Sequence, residues 1–330
     1  MVSMTQWPQL LAHTYDVVRE PVTLLDEPLL GRPTPCSEWT VEDLFAHAVG
    51  TLDRFAAALG AAESGATRGT PVERFDAAVG RNLAAWRTVT DPGATVALPF
   101  GSFPAQLAAA VNQLDSLVHA WDLAAALGLP LHLPDDLAEV ALRTAEIRCR
   151  QEPRSPVWGP ELPARDESTQ EKLLALTGRD TAAWPGAIWV AGSLVTVRPT
   201  RGDATAASGV EIWEREGSGP PRHVHADHDE LWYVLEGRFT FSVGDQEFQA
   251  GEGEVVVGPR GVAHGFRAET SRSRLLDVHL PGGFERFFVQ AGRPAADLVP
   301  PPPFDPGSMP ELRTAIESFG AAVVGPPLGR

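Results

Sequence analysis

The stretch HVHADHDELWYVLEG, residues 223–237, sets His223 and His225 two positions apart and Glu230 five residues later. On a β-strand, side chains two apart point to one face, so both imidazoles address the same space. Glu230 opens the next apolar run after the ADHD turn, where it can swing back toward the pair. His264 follows His225 by 39 residues, in GEVVVGPRGVAH. Pro259 and Gly261 just ahead of it make a tight turn that aims the following side chain inward. Three imidazoles and a carboxylate are a donor set for a first-row divalent ion. Imidazole suits iron, nickel, copper and zinc, and the carboxylate extends the range to manganese. Surface histidines on a polar strand are the competing reading of His-x-His alone. Four donors in this order, with both turn glycines in place, favour the metal.

A six-coordinate ion held by four side chains keeps open positions for a chelating substrate or for dioxygen. Glu230 is then the candidate catalytic residue, as ligand, as base for a substrate hydroxyl, or as both in turn. Trp232, Tyr233, Phe241 and Phe266 are candidate substrate contacts, with plain core as the alternative. His228 and Asp229 read as solvated turn residues. His279, on a late strand, faces either the barrel or solvent.

The other chemistry-bearing residues lie far upstream. Asp115 and His119 are four apart and share a helix face, so they can hold one ion together. His47, on an earlier helix, can supply a third donor across a bundle. Such a pattern is also that of an ordinary surface or hydrogen-bonded pair. Cys36 and Cys149 are the only cysteines. Cys36 has no basic neighbour in sequence and Cys149, though flanked by Arg148 and Arg150, has no His or Asp partner within reach, so both read as structural, as do Trp39, Trp121 and Asp122.

Two kinds of element must position these groups. Apolar residues recur at three- and four-residue spacing over 6–28, 40–60, 71–88, 104–127 and 135–150, which predicts helices. Thr40 with Asp43 resembles a capping box, Pro104 fits a first helical turn, and LGLP at 127–130 is a stop. A short last helix ends at Gly178. After RDTAAWPG the period becomes two: RFTFSV, LWYVLEG, EVVVG and RLLDVHL are short strands between glycine-bearing turns, the mark of a sandwich or barrel. The expected division is 1–185 helical, 186–303 β, and 304–330 a proline-rich tail with a short helix.

The 330 residues carry a net charge of −16. That balance argues against nucleic acid or an anionic membrane as partner, since both want a basic face. No run approaches a membrane span and no export signal is visible, so a cytoplasmic location is expected. Lys172 is the single lysine among many arginines and alanines, as in GC-rich bacterial coding.

From about Ala187 onward the chain resembles the cupin superfamily. Gly217, His223, His225, Glu230 and Gly237 match its first motif. Gly253, Pro259, Gly261 and His264 match the second, with Ala268 where the family usually has Asn. GFERFF at 283–288 and the terminal VVGPPLG look like the bacterial quercetin-dioxygenase-like branch. The resemblance implies a double-stranded β-helix, or jelly roll, holding a mononuclear metal by three His and one Glu. TPCSEWTVEDLFAHAVG, VHAWDLAAALG and LLALTGRD resemble the DinB-like four-helix bundles of the mycothiol-dependent maleylpyruvate isomerase family, over residues 5–185. That resemblance implies a divalent metal, often zinc, on His47, Asp115 and His119, and mycothiol or another thiol as co-reactant. Asp115 stands where the isomerase has the longer Glu.

Three functions follow as expectations. The first is a mononuclear-metal dioxygenase or related enzyme on a small aromatic, phenolic or enol metabolite. The second is a thiol-dependent isomerase or transferase worked by the helical metal. The third is a non-enzymatic cupin that binds a small molecule or metal. A homodimer through the cupin is also expected.

Overall fold

The computed structural model of the chain describes residues 2–61, 68–151, 158–200 and 202–329. The chain divides into two compact units, Met1–Ala126 with Leu131–Ala183, and Leu127–Pro130 with Trp184–Arg330. Gly128 lies in the second unit and is held to glycine by its backbone. Its φ is +72°, and a Cβ there would meet the Ala187 carbonyl at 2.8 Å, so a larger residue would meet both strain and a clash.

The first unit contains α1 (Trp7–Val22), α2 (Val41–Ala58), α3 (Pro71–Trp86), a hairpin of β1 (Thr95–Leu98) and β2 (Gly101–Pro104), then α4 (Ala105–Leu127), α5 (Asp135–Cys149) and α6 (Thr169–Leu176). Local chemistry sets several of these boundaries. Thr40 and Asp43 form the anticipated capping box on α2, and Thr70 with Glu73 form another on α3. Two expectations need correcting. The first helix stops at Val22, after Pro21, and not at 28; a 3-10 turn at Glu27–Leu29 follows. Pro104 closes β2 instead of opening a helix, and its strand pairs with β1 from Thr95↔Pro104 to Leu98↔Gly101. The core buries Leu11, Phe55, Trp86, Leu114 and Leu117. Inside it, Tyr15 donates to Asn82 at 2.7 Å, and Asn82 and Trp86 both donate to Asn112 Oδ1. Buried polar groups of this kind are tolerated because each finds a partner.

The second unit contains β3 (Ile188–Val190), β4 (Ser193–Arg198), β5 (Ser208–Glu214), β6 (Pro221–His225), β7 (Asp229–Glu236), β8 (Arg238–Val243), β9 (Gln246–Gly251), β10 (Val255–Gly258), β11 (His264–Ala268), β12 (Ser273–Leu280), α7 (Glu285–Ala291), β13 (Arg293–Pro294), α8 (Met309–Glu317) and β14 (Ala321–Pro327). Seven strands form one sheet in the order β10-β7-β12-β5-β4-β3-β13, and five form the other, β14-β6-β11-β8-β9. The inner face of β5 is the alternation expected of a sheet covered on one side, with Val210, Ile212 and Glu214 buried. The stretch 304–330 is more than a tail with a helix. It supplies β14, which pairs with β6 at Ala321↔His225 and Val323↔His223. Among the described residues, no helix is long and apolar enough to cross a membrane.

Candidate metal centres

Strand register brings the barrel donors together. His264 on β11 stands directly opposite His223 on β6, while Glu230 reaches in from β7 of the other sheet. Glu230 Oε2 lies 2.9 Å from His264 Nε2, 3.2 Å from His225 Nε2 and 3.6 Å from His223 Nε2. All four side chains are buried. His225 Nε2, His264 Nε2 and Glu230 Oε2 nevertheless lack a hydrogen-bond partner. The three Nε2 atoms all face the same carboxylate oxygen. Spacings near 3 Å are those of neighbouring ligand atoms about 2.1 Å from one ion. The donor set therefore fits a divalent metal.

Neighbours hold this geometry. His223 Nδ1 is 2.9 Å from the Pro221 carbonyl, which places the proton on Nδ1 and leaves Nε2 as the ligating nitrogen. The Pro259–Gly261 turn is tied down by Gly261 N–H donating to the His225 carbonyl at 2.8 Å. Gly258 is required by crowding: a Cβ there would stand 2.6 Å from Trp232 and 2.9 Å from His264 Nδ1. Burial opposes ionisation of Glu230, but its contacts with His223, His225 and His264 outweigh this and hold it well below the usual carboxylate range.

A cavity of about 70 Å³ opens on His223 and Glu230 and is walled by Phe266, Phe284, Phe287, Phe288, Leu312 and Ile316, among others. Two carboxyls that sequence reasoning missed also line it. Glu214 is 1% exposed and accepts from Ser193 Oγ at 2.5 Å and Ser218 Oγ at 2.6 Å; burial outweighs both donors and lifts it to about 7. Asp277, on β12, is pushed well above the carboxylate range by burial and by Glu230. His279 faces the barrel, not solvent: it is 1% exposed and stacks on Phe284 at 4.5 Å.

The helical donors also meet. His47 Nε2 is 3.4 Å and His119 Nε2 3.7 Å from Asp115 Oδ1. Trp39 packs against both imidazoles, at 4.6 and 5.8 Å between centroids. Asp122 is not a mere helix tie. Its Oδ2 lies 2.8 Å from His119 Nδ1 and 2.7 Å from Arg179 Nη2. Cys36 joins the same cluster, with Sγ 3.4 Å from Asp122 and 3.7 Å from Arg179. The sequence hid this because Arg179 is 143 residues from Cys36. Burial disfavours charge on His119, but Asp115 and Asp122 raise it to about 10.

Comparison with known families decides the frame for both centres. The family model for the mycothiol maleylpyruvate isomerase N-terminal domain matches residues 11–148, and that for the cupin domain matches residues 210–279. The chain therefore carries an N-terminal domain of the mycothiol maleylpyruvate isomerase type and a C-terminal cupin domain. An uncharacterised protein of Mycobacterium tuberculosis is 36% identical over 163 residues, 46% of this chain and 85% of its own. Quercetin 2,3-dioxygenase of Bacillus subtilis is 35% identical over 72 residues, 22% of this chain and 21% of that enzyme. Among solved structures, KdgF from Halomonas sp. is 21% identical, covering 28% of this chain and 83% of its own with a TM-score of 0.27.

Within the cupin domain the four aromatic candidates separate. Phe266 lines the cavity. Trp232 and Phe241 are fully buried and pack on each other at 5.4 Å, with Trp232 against His264, so they belong to the core behind the donors. Tyr233 is 38% exposed on the opposite face of β7. His228 is half-buried and 6.1 Å from His225, while Asp229 pairs with Arg260 at 2.7 Å.

Proposed function

We propose that this protein is a metal-dependent cupin enzyme, an oxygenase or dioxygenase for a small phenolic or enol-type metabolite. The observation that carries the reading is the convergence of His223, His225, His264 and Glu230, with the facing atoms of His225, His264 and Glu230 lacking a hydrogen-bond partner. The quercetin dioxygenase relative supports the reaction class. A divalent ion held there supplies a Lewis-acid centre with positions open to a chelating hydroxyl or ketone and to dioxygen.

The chain's own residues do the remainder. Glu230 Oε1, on the side away from His223, His225 and His264, can take the proton of an incoming hydroxyl. Phe266, Phe284 and Phe288 keep water out and give a flat apolar molecule a matching wall. The space of about 70 Å³ is well under the roughly 150 Å³ that holds a benzene ring in a protein interior. An aromatic substrate therefore enters only with Phe284 or its neighbours displaced, whereas a small enol fits as the cavity stands.

A second reading, thiol-dependent isomerisation or transfer at the helical site, is favoured by the approach of His47, Asp115 and His119 and by the isomerase family match. Metal analysis and oxygen uptake on catechol and flavonol panels, for wild type, His225→Ala and His119→Ala, separate the two. The first reading expects oxygen uptake to fall at least a thousandfold in His225→Ala, together with loss of iron, nickel, manganese or copper. Zinc lost only in His119→Ala, with no oxygen uptake in wild type, overturns it.

A further inference from the structure

β12 carries a second pair of inward-facing donors two positions apart, Asp277 and His279. Register sets them against β7 at Asp277↔Trp232 and His279↔Glu230. His279 Nε2 is 3.8 Å from Glu230 Oε1 and 3.8 Å from Asp277 Oδ2. One donor atom from each of the three lies within 4.8 Å of the other two. Those separations are too long for a hydrogen-bonded Asp–His pair, which closes to about 3 Å. They leave room for a cation between the donors. Asp277 Oδ1 and both ring nitrogens of His279 have no hydrogen-bond partner, and both side chains are 1% exposed. Native interiors rarely leave such groups without a partner.

Glu230 is placed to serve two ions. Its Oε2 faces the three imidazoles and its Oε1 faces His279. Glu214, Glu230 and Asp277 all line the cavity, and no Lys or Arg is among its lining residues. We propose that Glu230 Oε1, Asp277 and His279 form a second divalent-cation site, sharing Glu230 with the tetrad. Two carboxylates and one imidazole suit manganese, ferrous iron or zinc. Asp-x-His on β12 thus repeats the geometry of His-x-His on β6, from the opposite sheet. The proposal rests on the tetrad reading through the shared Glu230.

The test uses the full chain carrying His47→Ala and His119→Ala, so that the helical centre does not contribute. Metal is removed by chelation, Mn²⁺ is added back, and bound manganese per chain is measured alongside the electron paramagnetic resonance spectrum. Two manganese ions with an exchange-coupled signal are expected. Asp277→Asn and His279→Gln should each fall to one ion with an uncoupled signal. One uncoupled manganese, unchanged by either substitution, overturns the second site and leaves Asp277 and Glu230 sharing a proton instead. No bound manganese at all overturns the tetrad reading and this one together. One manganese lost only in His225→Ala overturns this proposal and keeps the tetrad.

Discussion

Two centres built from histidine and carboxylate differ in how their donors are partnered. In the helical domain, Asp115 and Asp122 flank His119 and favour its charged form, while Arg179 neutralises Asp122. The cluster satisfies itself with protons. In the cupin, strands set four buried donors face to face, and the facing atoms of His225, His264 and Glu230 have no hydrogen-bond partner. Convergence of buried, unpartnered donors favours a cation more strongly than a cluster whose members already pair with one another.

The sharpest way to break that contrast is to weigh the stabilisation each domain draws from metal. Calorimetry with and without Mn²⁺ should show the cupin transition rising strongly. Ligand at a thousandfold over Kd stabilises by about 4 kcal/mol. The helical transition should move far less, and an equal shift in both would erase the distinction. Asp122→Asn probes the helical side. It leaves Arg179, 9% exposed, without its anion, which costs about 3 kcal/mol for a buried pair. It should also weaken zinc binding 10- to 100-fold by freeing His119, the usual range for lost outer-shell partners. Unchanged zinc affinity in titrations would make Asp122 purely structural.

Glu214 gives a prediction in pH. Burial raises it to about 7 in the fold from 4.5, so between those values the unfolded chain holds fewer protons. Stability should therefore fall as pH rises from about 4.5 to 7, by roughly 3 kcal/mol. Denaturation of Glu214→Gln across that window should lack this decline. A slope identical to wild type would show Glu214 ionising normally. The smallest effect is expected at Tyr233. Its exposed ring lies on the far face of β7 from the donors, so Tyr233→Ala should shift substrate affinity by less than about 0.5 kcal/mol. A larger loss would place the substrate on the outer sheet.

What could be read from the chain followed from period and short spacing. His223, His225, Glu230 and His264 were legible because two turns and a strand period fix where they point. Asp115 and His119 were legible because i and i+4 share a helix face. Asp277 and His279 alternate inward on β12 as clearly as the histidines on β6, yet nothing local says that β12 lies beside β7. Register across a sheet is long-range information. The Asp122–Arg179–Cys36 cluster was hidden for the same reason, and Glu214 because an alternating strand does not announce which face is dry. The β1–β2 hairpin was lost under a helical pattern that begins immediately after it. Prolines at 326 and 327 disguised β14, which tolerates them at its end.

That last strand bears on how the protein is made. β6 holds two of the four barrel ligands, and its outer neighbour is β14, nearly a hundred residues later in synthesis. Until residues 321–327 leave the ribosome, the strand bearing His223 and His225 is an open edge, able to pair with the wrong partner. A ribosome stalled before that segment would display the β6 edge, with His223 and His225, without the strand that covers it.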